Sequence, residues 1–173
     1  MSSPDLGMPD RWSRLWAPHR MEYLKGENRP LGQNEEDCPF CRIPTLSDEE
    51  GLIVARGEFA YVVMNLYPYN AGHLLICAFR HVADLTDLTK GERDEISAMS
   101  AHAMLTLRKV AAPAGFNLGM NQGAISGAGV AEHIHQHVVP RWSGDANFMP
   151  IIGQTKVMPA LLAQTRAELA AAW

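Results

Sequence analysis

No apolar run in the 173 residues approaches the roughly 20 needed to cross a bilayer. The N-terminus also lacks the apolar core of a secretory leader. The chain is therefore expected to be cytoplasmic and to have no membrane partner. Cysteine is scarce, with only Cys38, Cys41 and Cys77. An odd count without a leader argues against a disulfide framework. Cys77, within Leu74-Leu75-Ile76-Cys77-Ala78-Phe79, reads as an inert core thiol. A basic excess is missing too: 15 Lys and Arg stand against 19 Asp and Glu, for a net charge of −4 and a pI near 5.9. That balance disfavours DNA or RNA as partners, while a small anion needs only a local field. Internal repeats and low-complexity tracts are absent. Apolar residues at 47% and charged ones at 20% suit one soluble domain with a proper core.

Histidine, by contrast, is concentrated. Three of the seven, His133, His135 and His137, occupy every second position of Glu132-His133-Ile134-His135-Gln136-His137-Val138-Val139-Pro140-Arg141-Trp142. Side chains alternate along a strand, so these rings share one face, with Ile134, Gln136 and Val138 on the other. Pro140 is expected to end the run. Each buried ring needs a hydrogen-bond partner, which makes a row of three a poor way to fill a core. Three readings compete. One is a solvated face of an edge strand. A second is a metal site, although at roughly 3.3 Å per residue the outer rings are about 13 Å apart and do not readily share one ion. The third is a catalytic row, with one ring as nucleophile and its neighbours fixing its tautomer and the substrate's charge.

The rest of the chain supplies short strands and one main helix. Residues 1–37, rich in Pro, Gly and charge, read as a partly disordered arm. Within it, Arg11–Trp16 and Met21–Leu24 could each form a helical turn, with Trp12 and Trp16 on one face. Residues 38–173 form the domain. Leu52–Ala55 and Phe59–Met64 read as strands about an Arg56-Gly57-Glu58 turn. Tyr67–Gly72 is a loop and His73–Phe79 an apolar strand. Thr89-Lys90-Gly91-Glu92 has capping-box spacing and opens a helix with Ile96, Met99, Ala103, Leu107 and Val110 on its apolar face; Ala112–Gly115 stops it. Phe116–Asn121 is a strand, Gln122–Gly129 a glycine-rich loop, and Val157–Trp173 a last helix with Pro159 in its first turn. Antiparallel strands around a central helix make an α+β domain.

Cys38-Pro39-Phe40-Cys41 is a second constellation. A Cys-x-x-Cys pair can be a zinc half-site, a redox pair or coincidence. The redox reading wants a strand feeding directly into a helix, which the flanking loop does not supply. Zinc wants two more ligands, and thiolate with imidazole suits its tetrahedron.

The run His133-Ile134-His135-Gln136-His137-Val138-Val139 resembles the signature of the histidine triad (HIT) family, His-φ-His-φ-His-φ-φ with φ apolar, and departs from it at Gln136. The resemblance extends over most of residues 38–142. Leu46–Asn70 and Ala131–Val157 are most similar to the actinobacterial diadenosine tetraphosphate phosphorylase-like branch. It implies a five-stranded antiparallel sheet that pairs with a second subunit in a homodimer or higher homo-oligomer. It also implies nucleotidyl transfer from an adenine dinucleoside polyphosphate, to phosphate or water, through a nucleotidyl-histidine intermediate. His135 would attack, with its tautomer set by the His133 carbonyl. His137 would contact phosphate and His73 would support the triad. Asn65 matches the ribose-binding position, and Asn121 and Gln122 match amides that reach phosphate. Gly127 and Gly129 could let backbone N–H groups approach an anion, and Phe40, Ile43 and Leu66 would line the base pocket. Several members carry a zinc whose ligands match Cys38, Cys41, His81 and His133, so a structural zinc and no organic cofactor are expected.

Before the first triad histidine the family usually has Ser, Thr or Gln; Ala128-Gly129-Val130 offers no polar side chain, which puts phosphate as acceptor in question. The competing functions are a Hint-like nucleoside phosphoramidase, a nucleotide-binding protein with incidental catalysis, and an iron-dependent oxygenase built on His-x-His.

Overall fold

The computed structural model describes residues 34–145 and 161–173. The expected turns of the N-terminal arm and the residues before 161 of the expected last helix lie outside that range. Five strands, β1 (Ile53–Arg56), β2 (Ala60–Met64), β3 (Leu74–Ala78), β4 (Gly115–Met120) and β5 (His135–Arg141), form one sheet in the order β1-β2-β3-β5-β4. Every pairing is antiparallel. The expected five-stranded antiparallel α+β architecture is present.

β2 and β3 are buried along their whole length because both faces of the sheet are covered. Their sequences are accordingly continuous apolar runs rather than alternating ones. Val62, Met64, Leu74, Ile76, Ile134 and Val138 point to one side and pack with Ile96, Met99, Ala103 and Leu107 of the long helix. Tyr61, Val63, Leu75 and Cys77 point to the other side, where Cys38, Phe40 and Val130 cover them. A short helix α1 (Pro39–Arg42) carries that second layer.

The long helix α2 (Lys90–Ala111) begins at the expected capping box, with Thr89 and Glu92 bonding each other's backbone N–H groups. Arg80 forks onto the Glu92 carboxylate at 2.9 and 2.8 Å. α2 ends where Ala112 turns left-handed at φ 45° ahead of Pro113. Its Glu95 reaches the β1–β2 turn and accepts from the N–H groups of Glu58, Phe59 and Ala60 at 2.8, 2.5 and 2.8 Å. α3 (Leu162–Ala172) occupies the described part of the expected last helix. It buries Leu169, and Arg166 donates to the Ile53 carbonyl at 2.6 Å.

The sequence reading placed the end of the triad strand at Pro140, but β5 continues through Pro140 to Arg141, with Phe116 opposite Pro140. Pairing with β3 stops at Val138. The Pro140 carbonyl, and with it the position of its missing N–H, faces the side chain of Asn70. No ladder donor is required there, so proline is tolerated.

Candidate active site

The alternation of β5 sends His135 and His137 to the face opposite α2, and His133, just ahead of the strand, follows them. All three rings are buried. Nδ1 of His135 lies 2.8 Å from the His133 carbonyl oxygen. That nitrogen donates, so in the neutral ring Nε2 carries the lone pair. Phe40 lies against this ring with centroids 4.8 Å apart.

A relay fixes His137. Asn65 Oδ1 accepts from the Tyr67 N–H at 2.9 Å, which turns the Asn65 amide toward His73 Nδ1 at 3.3 Å. The same Nδ1 accepts from the Tyr69 N–H at 2.9 Å. A nitrogen that accepts is unprotonated, so His73 carries its proton on Nε2 and donates to His137 Nδ1, 2.9 Å away. The His137 proton is then on Nε2, a buried atom without a hydrogen-bond partner among the described residues. A buried donor left unmatched is costly, and this one suits an incoming anionic oxygen. Burial first, and then the charge of His135, lower His137 to about 4. Burial likewise lowers His135, so the rings are neutral near pH 7.

His133 links this row to the cysteines. Its Nε2 donates to the Ala78 carbonyl at 2.9 Å, which leaves the Nδ1 lone pair facing Cys38 Sγ at 3.3 Å and Cys41 Sγ at 3.5 Å. His81 Nδ1 is 3.3 Å from Cys41 Sγ. The four ligand atoms all lie within 4.8 Å of one another. A zinc tetrahedron with bonds of about 2.1 Å to nitrogen and 2.3 Å to sulfur has edges of about 3.6 Å, so these donors fit that ion. Burial, followed by the hydrogen bond and charge of Cys38, pushes the Cys41 thiol up to about 12; a dication would reverse that effect.

The remaining expected residues differ in exposure and in what they contact. Asn65 is half-buried, Ile43 packs beside Phe40, and Leu66 is 60% exposed. Asn121 is half-buried. Gln122 is exposed, with its Oε1 accepting from the Leu85 N–H at 2.6 Å. Gly127, at φ 88°, directs its N–H to the Ala124 carbonyl at 3.3 Å, closing the loop's own turn. Gly129 is half-buried. Gln136, the departure from the apolar pattern, lies on the opposite face. It lines a 470 Å³ groove bordered by Ser100, Met104, Leu118 and Met120, so its amide is not sealed in the core.

Sequence reasoning missed Tyr69. Its N–H fixes His73, and its ring stacks on His137 at 5.4 Å. The working atom belongs to the backbone, so no residue pattern announces it.

A family model described as "HIT domain" matches residues 48–144. A Mycobacterium tuberculosis protein named AP-4-A phosphorylase is 49% identical over 97% of this chain and 88% of its own length. A Schizosaccharomyces pombe bis(5'-nucleosyl)-tetraphosphatase (asymmetrical) is 30% identical over 52% of this chain and 49% of its own length. Among solved structures, a Zn-bound histidine triad family protein from Mycobacterium smegmatis superposes with a TM-score of 0.64 at 24% identity. That match covers 80% of this chain and 94% of the other.

Proposed function

Because this chain belongs to the histidine triad family, we propose that it is a nucleotidyltransferase that opens adenine dinucleoside polyphosphates at His135, with inorganic phosphate as acceptor. The observation that carries this reading is the 2.8 Å hydrogen bond from His135 Nδ1 to the His133 carbonyl, which leaves Nε2 as a neutral, unprotonated nucleophile at physiological pH. The activity and the acceptor follow the M. tuberculosis relative named AP-4-A phosphorylase.

In the first half-reaction, His135 Nε2 attacks the phosphorus next to one adenosine. The N–P bond forms as the bond to the bridging oxygen breaks, and the departing polyphosphate takes that electron pair. The resulting imidazolium is neutralised in part by the His133 carbonyl at Nδ1. His137 Nε2–H donates to the phosphoryl oxygens as their charge grows. In the second half-reaction, an oxygen of inorganic phosphate attacks the same phosphorus, the N–P bond breaks and His135 is restored. Diadenosine tetraphosphate would thus yield ATP and ADP, while water as acceptor would yield ATP and AMP. Phe40, Ile43 and Leu66 would border the base. Asn65 would contact ribose through the amide hydrogen not directed at His73. Asn121, Gln122 and the 127–129 backbone would flank the phosphates.

The decisive experiment is a chromatographic product profile of diadenosine tetraphosphate with and without phosphate. ATP with ADP, formed only when phosphate is present, supports the reading. ATP with AMP under both conditions replaces it with hydrolysis, and absence of turnover removes it.

The fit of Cys38, Cys41, His81 and His133 supports a zinc held by these four residues. Zinc would supply closed structural coordination with no activated water, tying α1 to the triad strand. A homodimer is supported by β4, which pairs with β5 on one side only among the described residues and leaves Leu118 46% exposed. No described helix is long and apolar enough to cross a membrane, in keeping with a cytoplasmic enzyme.

A further inference from the structure

Beyond the triad row lies a polar cluster that the proposed chemistry does not use. Asn70 Nδ2 donates to the Pro140 carbonyl at 3.1 Å and to Asp145 Oδ2 at 2.7 Å. The Asp145 side chain is only 10% exposed. Its carboxylate also accepts from Arg141 Nε at 2.6 Å, Arg141 Nη2 at 2.9 Å and the Trp142 N–H at 3.1 Å. Arg141 Nη1 in turn reaches Asn117 Oδ1 on β4 at 2.8 Å. Asn70 is therefore fixed to the far end of β5 by a carboxylate that is itself held by a guanidinium fork.

Its place in the loop gives this anchor a consequence. Asn70 follows Tyr69 directly, and its carbonyl accepts from the His73 N–H at 3.2 Å, closing the turn. Moving Asn70 moves the Tyr69 N–H, the nearer of the two donors on His73 Nδ1 at 2.9 Å. Only the longer 3.3 Å contact from the Asn65 amide then holds Nδ1 as an acceptor, so His73 can more readily place its proton on Nδ1 and accept at Nε2. His137 must then supply the proton between the two rings from its own Nδ1, and its Nε2 becomes a bare lone pair facing the phosphate oxygens.

We propose that Asn70, anchored on Asp145, is a positioning residue that keeps the His137 proton on Nε2 by holding the Tyr69 N–H against His73. The benefit to turnover rests on the nucleotidyl-transfer reading above, whereas the tautomer assignment does not. A purely structural role for Asn70 would lower stability and leave the ring protons where they are.

The test is long-range ¹H–¹⁵N spectroscopy of histidine-labelled full-length protein, free of nucleotide, near pH 7. It is paired with steady-state kinetics on diadenosine tetraphosphate and phosphate. In the wild type, His73 and His137 should both be protonated on Nε2. A wild-type His137 protonated on Nδ1 would overturn the proposal at once. In Asn70→Ala, and equally in Asp145→Ala, a sizeable Nδ1–H population should appear on both rings. kcat should fall roughly tenfold, the scale of one misdirected hydrogen bond, while KM moves by less than about twofold. The two variants break the same link from opposite ends, so if one fails to fold the other carries the test. A folded variant with unchanged tautomers, or with shifted tautomers and wild-type kcat, refutes the proposal. If the wild type turns over no substrate, the functional reading fails, and the tautomer comparison still decides this one.

Discussion

His133 and His135 are joined through two different parts of His133. Its carbonyl receives His135 Nδ1 at 2.8 Å, while its ring Nδ1 faces the sulfurs of Cys38 and Cys41 at 3.3 and 3.5 Å. One residue thus belongs to both the triad row and the cluster with Cys38, Cys41 and His81. The carbonyl that orients the His135 ring is held by whatever holds the His133 ring.

His135→Ala should abolish turnover while leaving the fold intact, because the hydrogen bond the ring makes is to the nearby His133 carbonyl and ties no distant segments together. His135→Gly should recover part of the rate when imidazole is added. Circular dichroism and a thermal melt verify folding, and wild-type turnover in the alanine variant would refute the assignment.

Metal analysis of protein purified without chelator should find one zinc per chain. Less than about a tenth of an equivalent, with Cys38 and Cys41 freely titratable, would reject the site. Zinc binding contributes directly to folding free energy, so Cys38→Ser should lower Tm clearly. The rate per folded molecule should fall less, through the slackened His133 carbonyl.

Acid should weaken the fold through His137. Its folded pKa, about 4, lies below the value of about 6.5 expected in the unfolded chain. Between those values the unfolded state binds more protons, so stability is present above about pH 6.5 and is lost as pH falls toward 4. Glu92, lowered to about 2 chiefly by Arg80, adds a loss in a more acidic window, from about 4.5 downward. Tm measured from pH 7 to 5 should fall less steeply in His137→Gln than in the wild type. Parallel curves would contradict the assignment.

Much of this arrangement is legible in the chain. The period-two spacing of His133, His135 and His137 placed the rings on one face, and Thr89 with Glu92 marked the start of α2. The apolar run His73–Phe79 marked a strand, and β3 lies within it. Other parts were not legible. Every residue except proline has an N–H, so nothing distinguished that of Tyr69. Asn70 and Asp145 are 75 residues apart and look like ordinary turn residues until the fold brings them together. Pro140 misled because its effect depends on which edge of the strand it faces.

Glu95→Ala should destabilise the protein by about 1–2 kcal/mol in chemical denaturation, since three backbone donors lose a charged acceptor. The figure is at the low end for three bonds because Glu58 and Phe59 are exposed and water can replace the carboxylate there. A change below about 0.5 kcal/mol would show that the turn holds its shape without the helix.

Acceptor use should be limited by the loop before the triad. Ala128, Gly129 and Val130 offer no side-chain donor, and the Gly127 N–H is already directed to Ala124. A hydrogen bond to a charged oxygen is worth roughly 1.5–3 kcal/mol, or about ten- to a hundredfold in affinity. The half-saturating phosphate concentration of the wild type should therefore be high. Gly129→Ser would restore a hydroxyl at that point. A phosphate titration of both proteins at fixed diadenosine tetraphosphate should show the half-saturation point falling in the serine variant with little change in the hydrolytic background. Tight phosphate use by the wild type, unmoved by the substitution, would mean that other backbone donors of the loop already bind the acceptor.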